Sequence, residues 1–245
     1  MCTLVLAWQV FADTPVVAAA NRDELLDRPS EPPAVRNWET CAVAPLDAEA
    51  GGTWIGYNKH GVLAAITNRW TDTDLSGDRS RGLLVRDVLR HETAESAIRY
   101  VERELDARSY EGFNLAVADA AAAMLVEWDG RRRLRQFEPG VHVVVNTGAD
   151  GAFSIPANRA ETAETQADNA GTVRAALRPD PGEGSEAWLD RAGTVVADHE
   201  YGVCVHGDGF GTRSSSLIRL GDGVTYEFAD GPPCRAEFER VEGQV

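Results

Sequence analysis

Two apolar runs joined by a short turn constrain the start of this chain more than any other feature. The first run extends from Thr3 to Phe11, the turn is Asp13-Thr14-Pro15, and a second run begins at Val16. Apolar runs of this length around such a turn are typical of two antiparallel strands. A hairpin brings the start of its first strand next to the end of its second. The sequence therefore predicts that Cys2 lies close to residues 21–23.

Cys2 is a candidate nucleophile. It follows Met1 and becomes the amino-terminal residue if that methionine is removed. It would then carry a thiol and a free amine, whose ordinary pKa of about 7.7–8.0 allows it to act as a base near neutral pH. A nucleophile activated by its own amino terminus is an established solution to acyl transfer. The alternative is that Cys2 is a small buried hydrophobic residue, as free cysteines often are.

A polar cluster, Asn21-Arg22-Asp23-Glu24, follows the apolar end of the second run. A site at the end of the strand would explain why four polar residues stand there. The alternative is a polar turn that leads into Leu25 and Leu26. A Gly51-Gly52 pair further along the chain indicates either a backbone that must approach another group closely or simple turn chemistry.

Five short motifs are spaced along the chain. They are Met1-Cys2, Ala19-Ala20-Asn21-Arg22-Asp23-Glu24, Gly51-Gly52-Thr53-Trp54-Ile55-Gly56, Thr67-Asn68-Arg69 and Gly211-Thr212-Arg213-Ser214-Ser215. In these motifs and their order the chain resembles the NRDE family, the family of the transport and Golgi organisation protein. The resemblance covers residues 1 to about 220. It implies an α+β fold of the N-terminal-nucleophile hydrolase type, a four-layer α-β-β-α sandwich, in one domain over residues 1–245.

The resemblance also implies roles for single residues. Cys2 would attack a carbonyl carbon, and Asp23 would orient the amine of Cys2. Asn68 and Asn146, each at a strand end, would donate hydrogen bonds to the oxyanion, although Asn68 could instead cap a turn. Arg213 would lower the pKa of the thiol or hold a substrate anion, unless it is a surface arginine at a strand start. The residues expected to bind the substrate are Asn21, Arg22, Thr53 and Trp54.

The function that the resemblance implies is hydrolysis of a carbon–nitrogen bond, an amide, in a small substrate without a cofactor. Members of the family have been linked to haem movement. The alternative is therefore a non-catalytic binding or trafficking protein of the same fold, for haem or another hydrophobic ligand. The sequence names neither the substrate nor the oligomeric state.

The charge of the chain excludes one class of partner. Its 24 basic and 39 acidic residues give a net charge of -15, and Lys59 is the only lysine. Such a composition resembles that of proteins from salt-loving archaea, whose acidic surfaces stay soluble where repulsion is screened over ~3 Å at 1 M salt. The alternative is an ordinary acidic cytosolic protein. In either case nucleic acid is a poor partner, because no basic patch could neutralise its phosphates.

The pattern of cysteines and histidines predicts no metal site. The four cysteines are Cys2, Cys41, Cys204 and Cys234, and no two stand at metal-ligand spacing. The five histidines form no HExxH motif. The apolar run at the start is too short for the core of a signal peptide, and no stretch approaches the ~20 apolar residues of a membrane span. We therefore expect a soluble, cytoplasmic protein.

The remaining patterning predicts the secondary structure between the motifs. Residues 28–33 are expected to form a proline-rich loop, and helices are expected to begin after Ser80 and Thr93. The sequence also predicts two short helices at 157–165 and 172–177, a helix at 185–197 and a strand at 203–206.

Overall fold

The computed structural model describes residues 2–245. Within that range the chain forms fifteen strands and four α-helices. The strands are β1 (Thr3–Phe11), β2 (Thr14–Leu25), β3 (Ser30–Trp38), β4 (Thr40–Asp47), β5 (Ile55–Asn58), β6 (Leu63–Asn68), β7 (Phe113–Ala118), β8 (Ala123–Trp128), β9 (Arg132–Gln136), β10 (Gly140–Val145), β11 (Gly148–Ala149), β12 (Ala152–Phe153), β13 (Phe210–Leu220), β14 (Thr225–Ala229) and β15 (Glu239–Arg240). The helices are α1 (Arg81–Val88), α2 (Ala94–Ala107), α3 (Ala160–Ala176) and α4 (Ser185–Ala197), with 3-10 turns at Ala157–Arg159 and His199–Tyr201.

The chain divides into two compact units. The first contains the chain up to Arg28 together with Pro139–Val241, and the second contains Pro29–Glu138 together with Glu242–Val245. The sheet of the first unit has the strand order β12-β11-β10-β1-β2-β13-β14-β15, and that of the second has the order β3-β4-β5-β6-β7-β8-β9. The single domain over residues 1–245 that the sequence leads us to expect stays a prediction.

The amino-terminal hairpin that the sequence predicts is confirmed. β1 and β2 pair antiparallel, with Thr3 opposite Asn21. A bulge interrupts the pairing near the turn, where Gln9 has a φ of 55°, but it leaves the register at the start of β1 intact. β2 also pairs with β13, with Thr212 opposite Asp23. The pairing thus brings the start of β1, the end of β2 and the start of β13 together at one end of these three neighbouring strands.

Two helices, α3 and α4, cover one face of the first sheet. Because successive side chains of a strand point to opposite faces, alternate residues such as Val5, Ala7, Val17 and Ala19 pack against these helices. Trp188 of α4 is fully buried there, and its indole N–H donates to the Leu177 carbonyl over 2.9 Å. A buried Trp removes about 150–250 Å² from water, which stabilises the fold by up to about 4–6 kcal/mol.

The second unit has a core of its own, formed between its sheet and the helices α1 and α2. Its largest fully buried members include Leu84, Leu89, Tyr110, Phe113 and Leu115. The expected helix starts are confirmed. Ser80 accepts a hydrogen bond from the N–H of Gly82, and Thr93 forms a capping box with Ser96. Caps of this kind stabilise a helix by about 1 kcal/mol each.

Each unit therefore combines one antiparallel sheet with two helices, which confirms the expected α+β class. Three local expectations are wrong. Residues 30–38 form β3 instead of a loop, the two short helices at 157–165 and 172–177 are one helix, α3, and residues 203–206 form no strand. Among the described residues, no helix is both long enough and apolar enough to cross a bilayer.

Candidate active site

Cys2 lies beside the end of β2. Its Sγ atom is 3.5 Å from the backbone carbonyl oxygen of Asp23, and the residue is only partly buried. The pairing of Thr3 with Asn21 produces this proximity, because it places the residue before β1 next to the end of β2. Met1, whose removal the sequence led us to expect, lies outside the described residues.

The surroundings of Cys2 act on its pKa in opposite directions. Burial raises the pKa of the Cys2 thiol, and the carboxylate of Asp23 raises it further. The guanidinium of Arg22 lowers it, but the net pKa lies above the ordinary value for a cysteine. The thiol is therefore the resting form at neutral pH. A group that accepts its proton is needed before the sulfur can act as a nucleophile.

Asp23 is held by a buried hydroxyl. Thr212 Oγ1 donates to Asp23 Oδ1 over 2.7 Å, and both residues are almost fully buried. Burial raises the pKa of Asp23, and the hydrogen bond from Thr212 opposes that rise. Thr212 is fixed in turn by Val205, whose N–H donates to Thr212 Oγ1 and whose carbonyl accepts from the N–H of Thr212, each over 2.8 Å.

Asn21 has its polar atoms engaged inside the protein. Its Nδ2 donates to the carbonyl oxygens of Val196 and Val203, at 2.8 and 2.9 Å. Its Oδ1 accepts from Ser215 Oγ over 2.8 Å. Both amide hydrogens are thus used to join β2 to the end of α4 and to the segment before β13. These contacts make Asn21 part of the framework of the first unit, and the substrate-binding role expected from the sequence stays a prediction.

The two arginines expected at the site differ in their surroundings. Arg22 is buried, and its Nη2 lies 3.6 Å from Glu24 Oε2. Arg213 lies at the register shift of β13 between Thr212 and Ser214, and its Nη1 is 3.3 Å from Asp230, an exposed carboxylate. Of the two, Arg22 carries the guanidinium that lowers the pKa of the Cys2 thiol.

Asn146 follows β10 and is almost fully buried. Its Oδ1 accepts a hydrogen bond from Nε2 of Gln166 on α3 over 2.8 Å. Because the amide oxygen is held in this way, the amide group has a fixed orientation, and its NH₂ points away from Gln166. An oxyanion donor needs such a preorganised N–H group. The sequence did not indicate this contact of Gln166, and the oxyanion role expected for Asn146 stays a prediction.

The other expected site residues belong to the second unit. Asn68 ends β6 and is exposed, and Thr53 is buried with its hydroxyl donating to the Ile55 carbonyl over 2.9 Å. Trp54 is partly buried, and its carbonyl accepts from the N–H of Ile66 over 2.9 Å. These contacts make Thr53 and the backbone of Trp54 part of the framework of this unit. The substrate contacts expected for both, and the oxyanion role expected for Asn68, stay predictions.

The surroundings of the Gly51-Gly52 pair and of Arg69 explain why these positions carry those residues. A Cβ atom on Gly52 would lie 2.2 Å from the backbone carbon of Gly82, so the chain approaches the start of α1 closely here, while Gly51 has a φ of 69°. Both interpretations of the glycine pair therefore apply. Arg69, which follows Asn68, is buried and donates to Asn114 and Glu127 at 2.8 and 2.9 Å.

A group of histidine and cysteine side chains lies near Thr212, where the sequence predicted no metal site. The ligand atoms of His199, Cys204, His206 and Cys234 all lie within 4.8 Å of one another. Burial raises the pKa of Cys204 to about 11, and hydrogen bonding to Cys234 adds to the rise. The signal in the sequence was the close spacing of His199, Cys204 and His206, to which the fold adds Cys234.

A separate groove of about 470 Å³ opens at β10 and α3. It is lined by Val141, Phe153, Arg174 and Arg178, among others, and by none of the candidate catalytic residues. Its volume is within the range of small-molecule sites.

Comparison with known proteins gives the family and the fold of this chain. A family model described as "Transport and Golgi organisation 2" matches residues 1–229. The human transport and Golgi organization protein 2 homolog is 35% identical over 113 residues, and the mouse homolog is 32% identical over 112 residues. Each alignment covers 44% of this chain and only 40% of the relative, so the chain spans well under half the length of the curated relatives it matches.

Solved structures show the same fold at low identity. Penicillin V acylase from Agrobacterium tumefaciens has a TM-score of 0.61 and 15% identity, covering 94% of this chain and 83% of its own. The Caenorhabditis elegans ortholog of N-acylethanolamine-hydrolyzing acid amidase has a TM-score of 0.56 and 15% identity, covering 89% and 92%. A mutant of conjugated bile acid hydrolase from Clostridium perfringens has a TM-score of 0.52 and 11% identity, covering 100% and 97%. Together they establish a fold of the N-terminal-nucleophile hydrolase type.

Proposed function

The chain belongs to the transport and Golgi organisation 2 family, and from that premise we propose that it is a cysteine hydrolase that cleaves an amide bond of a small acylated substrate. The observation that carries the proposal is the position of the Cys2 thiol beside Asp23, a buried carboxylate held by Thr212. The acylase, amidase and bile acid hydrolase of similar fold support the reaction class by their names. Cys2, which stands directly after Met1, supports an amino-terminal nucleophile.

The proposed reaction begins once Met1 has been removed and Cys2 carries the free amine. The amine accepts the proton of the thiol, and the sulfur attacks the carbonyl carbon of the substrate. A carbon–sulfur bond forms while the carbonyl electron pair moves to the oxygen. When that pair returns, the carbon–nitrogen bond breaks and the leaving amine takes the proton held by the amino terminus. A water molecule then attacks the thioester, which releases the acid and restores the thiol.

The raised pKa of Cys2 is consistent with such a proton transfer. A thiol that rests in its neutral form depends on an adjacent base, and the amine of the same residue is the nearest one that this mechanism can supply. Asp23 would orient that amine, and the Thr212 hydroxyl keeps the carboxylate in place. The guanidinium of Arg22, which lowers the pKa of the Cys2 thiol, would favour the thiolate as it forms. The same role expected of Arg213 stays a prediction.

Asn146 is the oxyanion donor that the first unit itself offers. Its amide is oriented by Gln166, whose Nε2 donates to Asn146 Oδ1 over 2.8 Å. A donor of this kind contributes about 2.7–4 kcal/mol to catalysis. Arg213, partly exposed and paired with an exposed carboxylate, is free to exchange that partner for a substrate anion.

The test uses fatty acyl amides of a fluorogenic amine, with chain length varied, in high-salt buffer. The proposal expects release of the amine by the wild type and an acyl adduct on Cys2 by intact mass spectrometry. Cys2→Ala should abolish both. Cys41→Ser is the matched control, because Cys41 is also a partly buried free cysteine. It lies in the second unit, where its thiol donates a hydrogen bond to Asn37.

Two outcomes contradict the proposal. Mature protein that retains Met1 quantitatively would exclude the free-amine mechanism. Amine release that survives Cys2→Ala would exclude Cys2 as the nucleophile. The competing prediction, a trafficking protein that binds haem or another hydrophobic ligand, is favoured instead if mixing with haem produces a saturable absorption change while no acyl adduct forms.

A further inference from the structure

Four potential metal ligands converge beside β13. His199 comes from the 3-10 turn after α4, and Cys204 and His206 come from the segment between that turn and β13. Cys234 follows β14. Gly202, with a φ of 64°, allows the reversal of the chain between His199 and Cys204. Two separate parts of the chain are thus folded so that two imidazoles and two thiols face one point.

The distances among these atoms are difficult to explain by hydrogen bonds alone. His206 Nε2 lies 3.2 Å from His199 Nε2, 3.1 Å from Cys234 Sγ and 3.7 Å from Cys204 Sγ. A ring nitrogen has either one proton or one lone pair in the plane of the ring. It can therefore satisfy one of these three neighbours at a time. A cation at the centre of the group would satisfy all four atoms together.

The same distances fit tetrahedral coordination. With metal–nitrogen bonds of about 2.0–2.1 Å and a metal–sulfur bond of about 2.3 Å, a tetrahedron requires about 3.3 Å between nitrogens and about 3.6 Å between nitrogen and sulfur. The observed nitrogen pair is at 3.2 Å, and the nitrogen–sulfur pairs are at 3.1 and 3.7 Å. All four atoms lie within 4.8 Å of one another, a limit that includes the tetrahedral sulfur–sulfur separation of about 3.8 Å.

We propose that His199, Cys204, His206 and Cys234 bind Zn²⁺ in a four-ligand structural site. Two thiolates and two neutral imidazoles form one of the donor sets that zinc takes in tetrahedral sites, and thiolates discriminate against Mg²⁺ and Ca²⁺. The two thiolate charges balance the charge of the ion. Four protein ligands leave no position open for a water or a substrate, so the ion holds the chain together instead of taking part in chemistry.

The position of the site indicates what the ion stabilises. Cys204 and His206 flank Val205, which exchanges hydrogen bonds with Thr212. Thr212 in turn holds Asp23. Bound zinc would therefore fix the segment that positions the Asp23 carboxylate. The metal site itself depends only on the four ligands, and its test is independent of whether the chain is a hydrolase.

The experiment measures metal in untagged protein purified from zinc-supplemented cells, in high-salt buffer. The proposal expects one zinc ion per chain by inductively coupled plasma mass spectrometry. After chelation and addition of Co²⁺, it expects the visible absorption of tetrahedral cobalt with a thiolate charge-transfer band. His199→Ala, an exposed position, and Cys234→Ser should each lose the ion and the cobalt spectrum. His60→Ala and Cys41→Ser are matched controls, because both residues lie in the second unit, and they should keep both.

Three results would overturn the proposal. The first is folded wild-type protein with a small fraction of an ion per chain that also fails to take up cobalt. The second is zinc retained by His199→Ala and Cys234→Ser at the level of the controls. The third is a Cys204–Cys234 disulfide in protein purified under reducing conditions, found as a peptide mass lower by two hydrogens. Because the first and third results use wild-type protein, they decide the matter even if a variant does not fold.

Discussion

Replacing Thr212 with valine tests whether the Asp23 carboxylate is held as the structure indicates. Valine keeps the shape of threonine but removes the hydroxyl, which donates to Asp23 Oδ1 over 2.7 Å and accepts from the N–H of Val205 over 2.8 Å. A hydrogen bond to a charged group contributes about 1.5–3 kcal/mol, and an unpaired buried N–H costs about 1–3 kcal/mol. We therefore expect Thr212→Val to lower the free energy of unfolding by roughly 2.5–6 kcal/mol at pH 7.

The loss should depend on pH in a defined direction. Burial already raises the pKa of Asp23 above its ordinary value of 3.8, and the hydrogen bond from Thr212 limits that rise. Removal of the hydroxyl raises the pKa further, so the folded variant binds a proton more readily than the unfolded chain. The loss in free energy of unfolding of Thr212→Val relative to the wild type should be largest at pH values above the pKa of Asp23 in the folded variant. It should shrink as pH falls towards the ordinary value and the carboxylate becomes protonated.

The assay is urea unfolding of wild type and variants in high-salt buffer over a range of pH. Thr212→Ser is the matched control, because serine keeps the hydroxyl and loses only a methyl group, so it should retain most of the stability. Equal free energies of unfolding for Thr212→Ser and Thr212→Val at pH 7 would refute the argument. So would a deficit of Thr212→Val that does not change with pH.

Three further predictions follow from other parts of the molecule. Asn146→Ala should lower kcat on an accepted amide by about 10²–10³-fold with little change in KM, and an unchanged kcat would remove Asn146 from the mechanism. Asp150 is partly buried, which alone would raise its pKa, but its hydrogen bonds with His142 and the Val143 N–H lower the pKa below 3.8. Stability from this carboxylate should therefore be present above that value and be lost as pH falls through the lowered pKa, and Asp150→Asn should remove this part of the acid dependence of unfolding. Finally, the melting temperature should rise between about 0.1 M and about 1 M salt if the net charge of -15 marks adaptation to salt, and a constant melting temperature would count against that interpretation.

Much of the fold is predictable because its signals are local. The apolar runs of β1 and β2 surround a turn, and Ser80 and Thr93 cap α1 and α2 as their positions indicate. The error at β3 has a local cause as well. Pro32 and Pro33 suggested a loop, but β3 is an edge strand, and both prolines fall in the register shift between Glu31 and Ala34. An edge strand tolerates proline there because its missing N–H breaks no ladder.

Other errors arise where tertiary contacts outweigh local preference. The sequence led us to expect two short helices, at 157–165 and 172–177, with Gly171 between them. The structure has one helix, α3, because Ala163, Ala170 and Val173 are buried against the first sheet. Packing of an apolar face commonly overrides the propensity cost of about 1 kcal/mol for a single glycine.

His199, Cys204 and His206 are close in the sequence, but their convergence with Cys234 could not be predicted from spacing. His206 and Cys234 are 28 residues apart, and all of β13 and β14 lies between them. Metal motifs are recognised in a sequence when ligands occur as close pairs, and here one of the two cysteines stands alone. The pairing of β13 with β14, which is a property of the whole sheet, brings that cysteine to the others.

The cluster that marks this family in sequence is not one functional unit in structure. Alternation along β2 directs Asn21 towards the helices, where its amide joins β2 to the end of α4 and the segment before β13, and directs Arg22 to the opposite face. Asp23 accepts a hydrogen bond from Thr212 of the neighbouring strand β13. Glu24 lies near the end of β2 and pairs with Arg22. The four residues therefore have four different environments. Because β2 is paired with both β1 and β13, it holds Asp23 beside Cys2 and Thr212, so the motif bears on the position of Asp23 more directly than on the identity of a substrate.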